Sequence, residues 1–130
     1  MAFTRISSVT VPVSDVGRAL DLYRDVLGFT VFRDLLPGTP ARTIHLTAPA
    51  GGSIIILVPG TVDAPVGSLR GATLQVNDMA DALGRLLWAN ITPMWCDAYA
   101  PGGPAAQVAD ADGNVWTLWQ PSAQLAAIAA

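Results

Sequence analysis

Apolar and polar residues alternate along the first part of the chain in the way that is typical of a β-strand. In residues 5–13, three valines at every second position alternate with Ser, Thr and Pro, and side chains on one face of a strand recur with this period of two. Ser14 and Asp15 follow, and both residue types commonly cap the N-terminus of a helix. The pattern therefore predicts a strand that leads directly into a capped helix.

The next segment changes from strand to helical spacing and then back again. Apolar residues recur at helical intervals over residues 16–27, and Gly28 stands where a glycine commonly ends a helix. Three strand-like runs follow at residues 29–35, 42–47 and 53–58, and Pro-Gly and Gly-Gly pairs separate them. The first half of the chain is therefore predicted to have the order βαβββ.

The same order of elements begins again near residue 72. A strand is predicted over residues 72–76, and a helix follows the capping residue Asp78 and ends near Asn90. Strands are then predicted over residues 91–97, 105–109 and 115–120. The last two are separated by the turn-forming sequence Asp-Ala-Asp-Gly-Asn.

The two halves also match each other residue by residue. A shift of 63 positions superimposes residues 9–20 on residues 72–83 with five identities in twelve, which indicates an internal duplication. We therefore predict a single α+β domain over residues 1–130, built from two βαβββ modules. The predicted bounds are 5–60 and 68–120 for the modules and 121–130 for an Ala-rich tail.

Composition excludes several kinds of site. All ten acidic residues are Asp and all seven basic residues are Arg, and the chain has one histidine, His45, and one cysteine, Cys96. One chain therefore cannot build a site from several histidines or from His and Glu, a zinc–cysteine cluster or an internal disulfide. The absence of lysine also excludes a Schiff-base lysine and a P-loop.

Charge and hydropathy bear on partners and location. A net charge of −3 argues against a nucleic-acid partner, because phosphate binding requires a basic face. No apolar run approaches the roughly 18 residues of a membrane span, and the N-terminus lacks the continuous apolar core of a signal peptide. We expect a cytoplasmic protein with no membrane partner.

Two segments resemble motifs of a known family. Val-Pro-Val-Ser-Asp at residues 11–15, followed by Ala-Leu-Asp-Leu-Tyr-Arg-Asp-Val-Leu-Gly-Phe at 19–29, is similar to the opening module of the glyoxalase/bleomycin-resistance/dioxygenase superfamily, also called vicinal oxygen chelate proteins. The turn at 110–114 resembles its closing motif, with Ala111 in place of the usual Pro. The resemblance covers residues 5–120. It implies two βαβββ modules whose mixed sheet curls around a cavity.

The resemblance also locates the positions where the family's metalloenzymes carry metal ligands, usually His or Gln, Glu, His and Glu. Those positions are Ser8, Ile56, Gly71 and Thr117 in this chain. Ile and Gly have no donor side chain, and two neutral hydroxyls do not hold a divalent ion against water. The missing Glu also removes the family's usual base. We therefore predict no metal and no other cofactor.

Strand alternation predicts which side chains face the cavity. Pro93 leaves the parity of its strand open, so either Met94 or Trp95 faces inward. The predicted lining is aromatic and apolar with a few neutral polar groups, which suits a flat, partly aromatic organic molecule. The lining residues are Phe32, His45, Ile56, Thr73, Trp95, Gln107, Thr117 and Trp119.

Three functions are compatible with this lining. The resemblance implies a metal-free binding protein, similar to the bleomycin-resistance proteins, which are homodimers that sequester antibiotics in pockets formed between the two chains. The second is a metal-independent isomerase, cyclase or lyase acting on a natural-product intermediate, with His45 or an Asp as base. The third is a glyoxalase-like protein whose cavity is filled. The absence of metal ligands and of an evident acid–base pair favours binding, and the high apolar content favours a homodimer.

Overall fold

A computed structural model describes residues 2–123 of the chain, and the elements in that range form two βαβββ modules. The first consists of β1 (Ser8–Val13), α1 (Val16–Tyr23), β2 (Thr30–Leu35), β3 (Thr43–Thr47) and β4 (Ile54–Pro59). The second consists of β5 (Ala72–Gln75), α2 (Met79–Trp88), β6 (Trp95–Asp97), β7 (Ala105–Ala109) and β8 (Val115–Trp119). The predicted α+β class is confirmed. Most of the predicted tail, residues 124–130, lies outside the described residues.

Each module forms its own four-stranded mixed sheet. The strand orders are β1-β4-β3-β2 and β5-β8-β7-β6, and in both sheets the first pair is parallel and the others are antiparallel. The register repeats as well as the order. Thr10 pairs with Ile56 in the first sheet, and Thr73, 63 residues after Thr10, pairs with Thr117 in the second. This correspondence is what an internal duplication would produce.

Both helices begin at an aspartate cap. The Asp15 side chain accepts a hydrogen bond from the Arg18 backbone N–H at 3.1 Å, and the Asp78 side chain accepts one from the Asp81 N–H at 3.1 Å. Both caps have extended backbone, which is the conformation that lets a side chain reach back to the first turn. The predicted helix starts are therefore correct.

We expect Asp15→Ala and Asp78→Ala each to lower the free energy of unfolding by about 1 kcal/mol, because each leaves a helix N–H without its partner. Urea unfolding of each variant measures the loss. Asp21→Ala, on the exposed side of α1, is the matched control and should stay within about 0.5 kcal/mol of wild type. Losses no larger than that of the control would contradict the capping role.

Two elements are shorter than predicted. Regular helix in α1 stops at Tyr23 and not at residue 27, because the N–H groups of Asp25 and Leu27 bond to carbonyls five residues back. Strand β6 occupies only the end of the predicted run 91–97. The Ile91 N–H still bonds to Leu86 O at the end of α2, and Pro93 has no N–H to give to a ladder.

Each sheet has one buried face and one open face. In the first sheet, Ile44, Leu46, Ile55 and Leu57 are buried while the residues between them are partly exposed. The second sheet repeats this pattern. The residues on its buried face are Ala106, Val108, Trp116 and Leu118, Val115 at the start of β8 is buried as well, and Met79 and Leu86 of α2 are buried in the same unit.

The described residues fall into two compact units, 2–69 with 111–114 and 70–110 with 115–123. The turn 111–114 belongs to the first unit because Asn114 is fully buried there. Its Oδ1 accepts from the Leu69 N–H at 3.0 Å, and its Nδ2 donates to Pro12 O at 2.8 Å. No helix within residues 2–123 is both long enough and apolar enough to cross a membrane.

Candidate functional site

A row of paired side chains crosses the open face of the second sheet. Thr73 pairs with Thr117, Thr117 with Gln107, and Gln107 with Trp95. Residues that pair across strands point to the same face, and Trp119 lies on that face because it is two residues beyond Thr117. Five of the predicted lining residues are therefore brought together on one face. The register places Trp95, and not Met94, on the same face as Gln107.

The end of this row is organised by a hydrogen bond between two side chains. The Trp95 Nε1–H donates to Gln107 Oε1 at 3.1 Å. An indole nitrogen can only donate, so the amide oxygen of Gln107 must face Trp95 and its NH2 group points elsewhere. Within residues 2–123 the Gln107 side chain has no other hydrogen bond. Because Trp95 is 44% exposed, the arrangement presents an aromatic ring beside an available donor.

The other three predicted residues lie together on the open face of the first sheet. His45 pairs with Ile56, and the ring of Phe32 meets the His45 ring edge-on, with centroids 5.8 Å apart and an interplanar angle of 76°. Phe32 is 51% exposed. This group presents aromatic and apolar surface with one imidazole in it.

A β-bulge adds one residue that alternation did not predict. The register of β2 against β3 shifts between Val31 and Arg33, so that Arg33 pairs with His45. Strict alternation would have placed Arg33 on the face opposite Phe32, but the extra residue of the bulge brings both beside His45. Nothing in the local sequence signals this bulge.

Charges are scarce beside His45. Arg42 and Asp34 form a bidentate ion pair, with N···O distances of 3.0 and 2.7 Å. These hydrogen bonds lower the pKa of the Asp34 carboxyl. Within residues 2–123 no carboxylate is hydrogen-bonded to the imidazole of His45. His45 therefore lacks the acidic partner that commonly fixes the tautomer of a histidine base.

The four metal-ligand positions do not fit a resident metal ion. Ile56 and Thr117 occupy equivalent places in the two sheets, and Ile56 has no donor atom in its side chain. Gly71 has a φ of +80°, a left-handed conformation in which a histidine would be strained. Ser8 offers only a neutral hydroxyl. In the described part of the chain, no three His, Cys, Asp or Glu side chains cluster in a way that could hold a metal.

A separate cavity of about 270 Å³ lies in the first unit, at the start of α1. It contains none of the predicted lining residues. Its walls are polar as well as apolar and include the Asp15 cap and the guanidinium of Arg42, which Asp34 already engages. The complete lining is Ser14, Asp15, Val16, Gly38, Thr39, Pro40, Arg42 and Pro59.

Two βαβββ modules with mixed sheets of the same order define a glyoxalase-like protein. The sequence profile of the Glyoxalase/Bleomycin resistance protein/Dioxygenase superfamily matches residues 5–118, and the chain belongs to this superfamily. No protein among the curated sequences matches it.

Solved structures extend the comparison. TnmS3, an antibiotic binding protein from Streptomyces sp. CB03234, is 33% identical, with a TM-score of 0.83 over 94% of this chain and 99% of that chain. A glyoxalase/bleomycin resistance protein from the same strain is 31% identical, with a TM-score of 0.78 over 90% and 100%. The fosfomycin resistance protein FosX from Listeria monocytogenes, at 13% identity and a TM-score of 0.71 over 94% and 97%, shares the fold alone.

Proposed function

We propose that this protein binds a small planar aromatic molecule, without a metal and without converting it, as an antibiotic-sequestering protein does. The observation that carries the proposal is the row Thr73–Thr117–Gln107–Trp95 on the open face of the second sheet. The likeness to TnmS3, an antibiotic binding protein, supports the same class of ligand.

The chemistry of the row suits binding better than catalysis. An exposed indole ring offers a stacking surface, and the amide of Gln107 with the two threonine hydroxyls can orient a ligand through hydrogen bonds. The row contains no charged group that could stabilise an enolate or an oxyanion during a reaction. His45 on the first sheet lacks a carboxylate partner within the described residues, which argues against its use as a general base.

We propose further that the protein is a homodimer. Phe32, Leu35 and Trp95 are large apolar side chains on the open faces of the two sheets, and all three are exposed in the isolated chain. Exposed apolar groups of this kind mark surfaces that a ligand or a second chain covers. A twofold dimer is the commonest arrangement for such a chain.

Native mass spectrometry of protein purified without added metal tests the binding proposal most directly. We expect a dimer mass, no bound metal ion and, where a ligand survives purification, an additional organic mass. A stoichiometric metal ion would overturn the metal-independent part of the proposal. A monomer mass at micromolar concentration would overturn the dimer.

Metal independence gives a second expected outcome. Addition of Ni²⁺, Zn²⁺ or Mn²⁺ should leave the melting temperature unchanged, because a ligand raises stability only when it binds the native state. Dialysis against EDTA should likewise leave the affinity for an aromatic ligand unchanged. A saturable rise of several degrees at micromolar metal, or loss of binding after EDTA, would contradict the proposal.

A further inference from the structure

Among residues 2–123, the strands of the first sheet place one permanent charge on its open face, and this charge belongs to Arg33. The bulge in β2 brings this residue opposite His45 and beside the edge-on pair of the Phe32 and His45 rings. Its other neighbours on the face are neutral: Ile56 pairs with His45, and Thr10 pairs with Ile56. A single guanidinium therefore stands at the edge of an aromatic and apolar surface.

Arg33 has no acidic partner within residues 2–123, unlike two other arginines of the same unit. Arg42 is held by Asp34 at 2.7 Å, and Arg24 is held by Asp25 at 2.7 Å. The chain as a whole carries a net charge of −3, so its overall field does not attract anions. Any affinity for an anionic group must therefore come from a local cation such as Arg33.

We infer that the open face of the first sheet also binds an aromatic molecule of this class, one that carries an ionised acidic group, a carboxylate or a phenolate, and that Arg33 binds this group. This inference rests on the proposed function. A guanidinium presents a planar set of donors that matches a carboxylate with two parallel hydrogen bonds. The ring edge of the molecule on the first sheet would pack against Phe32 and His45, and its charge would be bound where the aromatic surface ends.

A different role for Arg33 leads to different observations. Strand β2 is the edge of its sheet, and charged residues on edge strands oppose pairing with another chain. In that role Arg33 would control self-association and would be indifferent to the charge of a ligand. The two roles are separated by measuring oligomeric mass and ligand affinity on the same variant.

The experiment uses two probes that share one ring system, anthracene-2-carboxylate and anthracene-2-carboxamide, with affinity measured by calorimetry. Wild type should bind the carboxylate about tenfold more tightly than the carboxamide, as expected for a hydrogen bond to a charged group. Arg33→Gln should lose this preference and retain the carboxamide affinity. Arg33→Lys should retain part of it, because an ammonium keeps the charge and lacks the planar fork.

Arg18→Gln is the matched control, because it removes the same charge from an exposed position on α1 of the same unit. This variant should keep the full preference for the carboxylate. The preference of wild type should also fall as salt is added, since a partly exposed ion pair is screened.

The outcomes separate the inference from the proposed function. Equal affinity of wild type for the two probes, or a preference that survives Arg33→Gln, overturns the inference and leaves aromatic binding in place. Absence of binding by both probes overturns the proposed function and the inference with it. If Arg33→Gln changes the oligomeric mass but keeps the preference for the carboxylate over the carboxamide, Arg33 protects the edge of the sheet from pairing, and the inference is overturned.

Discussion

Replacing Asn114 with Ala is expected to lower the free energy of unfolding by about 3 kcal/mol, because it removes two hydrogen bonds between the buried side chain and the backbone of distant segments. The Asn114 side chain is fully buried and serves as both acceptor and donor, for the Leu69 N–H at 3.0 Å and for Pro12 O at 2.8 Å. Truncation removes the side-chain acceptor of the Leu69 N–H, and it removes one of the two donors to Pro12 O, which still accepts from the Gly67 N–H at 3.0 Å. Loss of a hydrogen bond costs about 1 kcal/mol, and a buried group that loses its partner costs about 1–3 kcal/mol.

Asn114→Asp tests the same geometry without a change of size. The carboxylate can still accept from the Leu69 N–H, but its second oxygen has no proton to donate to the Pro12 carbonyl. We expect a large loss of stability at neutral pH, with partial recovery as the pH falls and the carboxyl gains a proton. Asn77→Ala, at an exposed position, is the matched control and should change stability by less than about 0.5 kcal/mol.

Thermal and urea unfolding of the three variants measure these differences. At neutral pH, Asn77→Ala should be about as stable as wild type, and both Asn114 variants should be much less stable than wild type. An Asn114→Ala variant that unfolds like the control would mean that water or a backbone adjustment replaces the two hydrogen bonds.

Where a strand is regular, the burial of its residues follows the alternation of the sequence. Buried and partly exposed residues alternate throughout β3 and β7, and they alternate over residues 54–58 of β4 and 116–119 of β8, so the faces of His45, Ile56, Gln107 and Thr117 follow from their parity. The pairing of these residues across strands did not follow from parity. Register depends on which strands meet and where, and this is decided by turns and tertiary packing.

The sequence was least informative where local geometry departs from the ideal. The bulge in β2 changes the face of Arg33, and no residue type near it marks the extra position. Asn114 was interpreted as a turn former, although its main role is to satisfy backbone groups of distant segments. A buried hydrogen bond between residues about one hundred positions apart leaves no periodic trace in the sequence.

The second large effect is expected for ligand binding, and it follows from the position of Trp95. Trp95→Ala should weaken binding of a planar aromatic probe by about 30-fold, because loss of a stacking indole removes about 2 kcal/mol of contact. The substitution should leave the fold intact, since Trp95 is 44% exposed and lies on the edge strand β6.

Trp88 provides a control of the same residue type. It lies at the end of α2, is 89% exposed and takes no part in the row on the second sheet. Trp88→Ala should change the affinity by less than about twofold. This control separates the effect of losing any exposed indole from the effect of losing the indole in the row. Calorimetry gives the affinities, and melting temperatures confirm that both variants fold. If both variants lose affinity to a similar extent, the row is not the binding site. If only Trp95→Ala loses affinity, the aromatic ring of the ligand lies beside the Gln107 amide.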